Sequence, residues 1–124
     1  MTSFKSNLAL MRTEWYNAFY NANIEKLDYL EAEWFISTNG QKVVYKKHQL
    51  RKLSMLAPEF KNNIITRTEH NVEIREFDNI ACVTGCAIVE EGAGVTKYDF
   101  IENWIKINDG WKLQFMSFDS SKGE

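Results

Sequence analysis

The sequence is short of the residues that staple, break or metallate a chain: one proline, two cysteines and two histidines in 124 residues. Cys82 and Cys86 lie four apart in a segment that reads as a strand, which sets their Cα atoms about 13 Å apart at roughly 3.3 Å per residue. A disulfide spans about 4.4–6.8 Å, so these two cannot pair with each other and are expected as free thiols in a reducing compartment. His48 and His70 fall on different elements without clustered acids, so neither a metal centre nor any cofactor is expected. An excess of one charge is also missing. The net charge of −2 and the pI near 5.7 give no electrostatic reason for a nucleic-acid or anionic-lipid partner. No apolar run approaches the ~20 residues of a membrane span, and the start from Met1 to Lys5 lacks a basic, then apolar, leader, so a cytoplasmic protein is expected. A glycine-rich phosphate loop, a G-x-S-x-G elbow and a Cys/His nucleophile arrangement are absent too.

What is present in quantity is aromatic surface. Eight Phe, five Tyr and four Trp make 14% of the chain, more than a bare core of this size needs, which points to a pocket or an oligomer interface. The length suits one domain spanning residues 1–124. Phe4, Leu8, Met11, Trp15, Ala18, Phe19 and Ala22 step by three or four and predict an amphipathic helix capped near Thr2 or Ser3. Asn23 can cap a short second helix carrying Ile24, Leu27 and Leu30. Asn39-Gly40 between Trp34–Thr38 and Gln41–Tyr45 predicts a hairpin, and Lys46–Leu56 predicts a third helix that Pro58 should stop. Strands are expected over 64–77, 79–90, 95–107 and 110–118, joined by turn-length links that make neighbours antiparallel. Strand 95–107 has apolar residues on both faces, which predicts helices over one face and a second subunit over part of the other.

Trp15 and Ala18, Leu27 and Leu30, Trp34-Phe35 before Asn39-Gly40, the run Ile80–Gly85, the run Tyr98–Trp104 and Asp109–Leu113 follow one another in this order of elements. On these residues the chain resembles the nuclear transport factor 2-like superfamily, in particular its SnoaL-like and ketosteroid-isomerase-like branch. It implies an α+β, cystatin-like cone, with N-terminal helices packed on a strongly curved antiparallel β-sheet, and a homodimer formed through that sheet. It implies no single reaction, because the superfamily includes isomerases, cyclases, dehydratases, kinase association domains and transport adaptors.

The resemblance also suggests where chemistry would sit. It places Tyr16 where the steroid isomerases carry a helix-one tyrosine that donates to an enolate. The carboxylate base those enzymes carry on the strand after helix two has no counterpart in Trp34–Thr38, and Ser117 stands near the position where cyclases and hub domains carry a histidine, so the standard isomerase route is not expected. Asp99 and Asn103 share one face of strand 95–107 with Ile101 and Ile105, while Glu102 shares the other with Phe100 and Trp104; an acid among apolar neighbours can act as a base or sit in an ion pair. His70, with Val72 and Ile74 on its own face, is a candidate for a core or pocket lining. Tyr16, His70, Asp99 and Glu102 are thus the catalytic candidates, and Tyr16, Phe19, Phe35, His70 and Asn103 the expected lining of a pocket for a small apolar molecule. The basic run Lys42, Lys46, Lys47, His48, Arg51 and Lys52 reads as the solvated face of a helix or an anion-binding patch. The expected function is a small-molecule-binding homodimer. An isomerase, cyclase or dehydratase and an oligomerisation module like the kinase association domains stand as alternatives.

Overall fold

The first helix begins at an asparagine. In the computed structural model, which describes residues 7–60 and 64–120 with the side chains of 57–60 excepted, α1 is Leu8–Tyr20. The Asn7 side chain accepts from the amides of Ala9 (2.8 Å) and Leu10 (3.3 Å), satisfying donors that a helix start leaves unpaired. This corrects the expected cap; Thr2 and Ser3 lie outside the described residues. Ala22, at φ 52, turns the chain, and Asn23 caps α2 (Ile24–Leu30) by accepting from Lys26 N. Strand β1 (Glu31–Thr38) follows at once, three residues earlier than the hydrophobic run suggested.

The Asn39-Gly40 turn is present but wider than two residues: Asn39 Oδ1 accepts from the amides of both Gln41 and Lys42, and β2 is only Val43–Tyr45. Gly40 sits at φ +92, where a side chain would be strained. Helix α3 (Lys46–Phe60) runs through Pro58 rather than stopping before it. A proline ring fixes φ near the helical value, and its cost is the bond lost to the carbonyl four residues earlier, which the last turn of a helix tolerates.

The C-terminal half is β3 (Ile65–Glu76), β4 (Ile80–Glu91), β5 (Gly94–Ile107) and β6 (Gly110–Ser120), an antiparallel meander as expected. The six-stranded order is β2-β1-β6-β5-β4-β3, in which β1 lies parallel beside β6. That contact between the N-terminal and C-terminal halves was not legible in the sequence. The helices cover one face of the curved sheet, and the core between them contains Trp104, Trp111, Phe35, Leu27, Leu113 and Val83, all nearly inaccessible. Among the described residues, no helix is long and apolar enough to cross a membrane.

Two local features position the interior. A register shift between His70 and Glu73, with Asn71 at φ 56, breaks the alternation of β3, so residues on either side of it face opposite ways from a simple period of two. Gly85 of β4 lies opposite Phe100 of β5, and a Cβ there would come within 2.9 Å of Phe100 Cζ and 3.1 Å of Val72 Cγ2. Gly85→Ala is therefore expected to destabilise the fold by about 1–3 kcal/mol through overpacking, read as a lower urea midpoint with an unchanged m-value.

Candidate functional site

Inside the cone, one carboxylate organises a set of charged and aromatic side chains. Glu102 of β5 is fully buried between Phe100 and Trp104 on the helix-facing side of the strand. Four side-chain N–H and O–H groups donate to it. Arg12 of α1 approaches as a fork, Nε to Oε1 at 2.7 Å and Nη2 to Oε2 at 2.7 Å. The Tyr16 hydroxyl, one helical turn on, donates to Oε2 at 2.5 Å, and Trp104 Nε1 donates to Oε1 at 2.8 Å. A buried carboxylate that accepts from a guanidinium and two further donors is compensated for its lost hydration.

A second carboxylate completes the network nearer solvent. Arg12 also donates to Glu69 of β3, Nη2 to Oε2 at 2.7 Å and Nη1 to Oε1 at 3.2 Å. Arg67, two residues before Glu69 on the same face, donates to Oε2 through Nη2 at 2.9 Å. The Arg67 guanidinium lies 3.8 Å from the Tyr16 ring centroid and 5.0 Å from that of Phe100, so its charge is covered by aromatic faces. Two guanidinium cations and two carboxylates thus balance within the cone.

The electrostatics follow from this packing. Burial works against the charge on Arg12, but the hydrogen bonds it donates to Glu102 and Glu69 outweigh it and hold the guanidinium more firmly protonated than usual. Burial, reinforced by the neighbouring Glu102 charge, pushes the Tyr16 phenol well above its ordinary value, so it remains a donor. For Glu69, partial burial is outweighed by Arg12 and Arg67, which lower its value. Its contribution to stability is therefore present above the ordinary carboxylate range and lost as the pH falls below it.

The interior departs from the chemistry the sequence suggested. Tyr16 and Glu102 are brought together, but each is the other's partner: the phenol that would polarise a substrate is donating to the acid that would accept a proton. Phe35 is in the core, and Phe19 packs at its edge, stacked on Trp15 with centroids 5.1 Å apart. Asp99 and Asn103 are on the outer face of the sheet, where Asp99 accepts from Cys86 Sγ and Asn103 from Gln114 Nε2, so Asn103 does not line the interior. His70 is exposed and directly opposite Cys86 on that outer face, separated by the bulge from Val72, which packs against the core, while Ile74 is itself 47% exposed. The expectation that His70 lies with them on a pocket wall is corrected by that bulge. Lys46 is not on a solvated face: it is buried, with Nζ donating to the carbonyl oxygens of Asp28 and Glu31, while Lys47, His48, Arg51 and Lys52 are exposed. A polar cleft of about 180 Å³ lined by Glu14, Asn17, Ala18, Asn21, Asn23 and Lys26 lies where α1 meets α2, away from this network.

Arg12, Arg67 and Glu69 were not identified from the sequence. Arg12 carried a signal, since it occupies an apolar-stripe position between Leu8 and Tyr16; Arg67 and Glu69 carried none, because Thr66 to His70 reads as an ordinary solvated strand edge.

No protein-family model matches the sequence, and no curated protein matches it. Among solved structures, the Chlamydamonas reinhardtii CaMKII hub homology domain superposes with a TM-score of 0.81 at 16% identity, covering 98% of this chain and 100% of that one. An NTF2-like protein from Cytophaga hutchinsonii gives 0.78 at 12% identity over 97% and 100%. A candidate dehydratase of the NTF2-like family from Streptomyces avermitilis gives 0.75 at 20% identity over 92% and 93%. At such identities the likeness speaks for the fold alone: this chain has the NTF2-like, cystatin-like architecture that its sequence suggested.

Proposed function

We propose that this chain is an assembly domain that self-associates through the outer face of its sheet, and that the charged network inside the cone is structural. The observation that carries this reading is the saturation of Glu102: fully buried and accepting from Arg12, Tyr16 and Trp104, it has no free face to offer a substrate proton. The outer face has the opposite character. Tyr45, Ile36, Phe115, Asn103 and Cys82 form one cross-strand row from β2 to β4, and Val43, Thr38, Ser117, Ile101 and Thr84 form the next. Neither row carries a charge. Trp34, more than half exposed, donates from Nε1 to Gln114, whose amide donates to Asn103, extending the same uncharged field. Lys97, Asp99, Asp119, Glu73 and Arg75 stand at its margins. An uncharged centre with a charged rim is the anatomy of a protein interface, and apposition of two such sheets would bury aromatic surface that is otherwise wetted. Similarity in fold to kinase hub domains is consistent with this use.

Sedimentation velocity on the purified chain tests the reading. A dimer or larger closed assembly at micromolar concentration is expected, and a monomer there would refute it.

A second reading, binding of a small molecule at the open end of the cone, is favoured by one observation. Phe19, Tyr20, Tyr98 and Phe118 are all half-buried around the Arg67 end of the network, with Tyr98 and Phe118 edge to face at 5.9 Å. Native mass spectrometry would reveal a co-purifying ligand, and Tyr20→Ala would then abolish its retention without altering assembly.

A further inference from the structure

A second buried glutamate is held in the opposite way from Glu102. Glu31, at the start of β1, is 3% exposed. Its Oε2 accepts from Trp15 Nε1 at 2.9 Å, while its Oε1 is buried with no partner. Gln49 of α3, 7% exposed, neighbours this carboxyl, and its own Oε1 is also buried without a partner. The nearest cation does not resolve the shortfall by hydrogen bonding: Lys46 Nζ is engaged by the carbonyl oxygens of Asp28 and Glu31 and by the Asp28 carboxylate at 2.9 Å. Among the described residues, Asp28 adds a negative charge that also disfavours ionisation of Glu31, Lys112 of β6 donates to the Tyr29 carbonyl, and α1 contributes the indole of Trp15. Two neighbouring buried side chains thus each hold an acceptor without a partner, and an acid proton on Glu31 would give that carboxyl a donor of its own.

We propose that Glu31 holds a proton in the folded chain near neutral pH, donating from Oε1 to the Oε1 of Gln49, and that loss of this proton is a switch that loosens α3 from β1. A carboxylate with one neutral donor is poorly compensated for burial, in contrast with the forked guanidinium on Glu102. Burial pushes Glu31 up to about 7, against the smaller opposing effects of Trp15, Gln49 and Lys46. The sign of the linkage follows. The folded chain binds this proton more tightly than the unfolded chain, so the stability it confers is complete below the unfolded value of 4.5 and lost as the pH rises from there to about 7.

Glu31→Gln is the natural probe, because its side-chain amide has the shape of the protonated acid and puts an N–H where the O–H is assigned. Urea unfolding of both chains from pH 4.5 to 8.5 gives a difference profile that cancels the other titrating groups. The folding equilibrium constant of the wild type relative to Glu31→Gln is expected to fall about a hundredfold across that range, in proportion to the shift. A flat difference, or one rising with pH, would overturn the proposal; it would mean that Glu31 is ionised in the fold and that Gln49 presents its amide N–H₂ to it, the amide orientation being interchangeable by shape. Infrared difference spectroscopy of the wild type alone gives an independent readout should the variant fold poorly. A protonated-carboxyl band that bleaches between pH 6 and 8 is expected, and its absence at pH 6 would equally refute the assignment.

Discussion

Arg12→Met will cost about 3–5 kcal/mol of unfolding free energy, the range for removing one partner of a buried ion pair. Glu102 would keep Tyr16 and Trp104 as donors but lose the one positive charge that touches it among the described residues, leaving an uncompensated carboxylate at the centre of the core. Glu69 is less affected, because Arg67 still holds it. The cost should appear in urea denaturation as a large drop in midpoint at unchanged slope. Arg12→Met combined with Glu102→Leu should restore much of the loss, since apolar replacement of both partners removes the stranded charge. That non-additivity distinguishes a structural pair from a catalytic one. If the double variant were no more stable than Arg12→Met, Arg12 would contribute mainly through packing against Tyr16 and Phe100.

Ile101→Lys is the substitution expected to abolish the proposed self-association while leaving the fold intact. Ile101 is 45% exposed in the isolated chain, within the second uncharged row, paired with Thr84 on one side and Ser117 on the other. In the single chain a lysine there projects into water at small cost. Across a sheet-to-sheet interface it would be buried unpaired, and by the two-fold relation of a homodimer the charge enters twice. The dissociation constant is expected to rise at least about a hundredfold, equivalent to roughly 3 kcal/mol. Sedimentation should then report a single monomeric species with a wild-type far-ultraviolet circular dichroism spectrum. Retention of the assembled mass would move the interface elsewhere on the molecule.

The parts of the fold that could be read in the sequence are those encoded by local period. Phe100, Glu102 and Trp104 alternate against Ile101, Asn103 and Ile105, and the two sets do lie on opposite faces of β5. Asn23 as a cap and the antiparallel meander follow from equally short-range chemistry. What escaped were pairings between distant segments. Arg12 meets Glu69 and Glu102 across 57 and 90 residues of chain, and spacing carries no information about such partners. Glu31 fell between the second helix and the strand expected from Trp34 when it is a buried strand residue, and Lys46 read as surface because its run is basic, whereas its ammonium ties α3 to the end of α2. His70 was misplaced for a different reason. One extra residue at the β3 bulge reverses the face of everything beyond it, and a period-two pattern cannot register an insertion that its own sequence does not mark with glycine.

The parallel contact of β1 with β6 has a consequence for how the chain is made. Strand β6 lies between β1 and β5, so the segment from Glu31 to Tyr45 has no sheet to join until residues 110–120 have left the ribosome. During synthesis α1 and α2 must wait beside a strand that bears Trp34 and Phe35 and has only the short β2 as a partner, while β3, β4 and β5 can already zip together. Strand β6, the last of the six described, is the one that joins the two halves. Folding should therefore be slow for a chain of this length and concerted at its end, with the nascent N-terminal half the segment most in need of protection from aggregation.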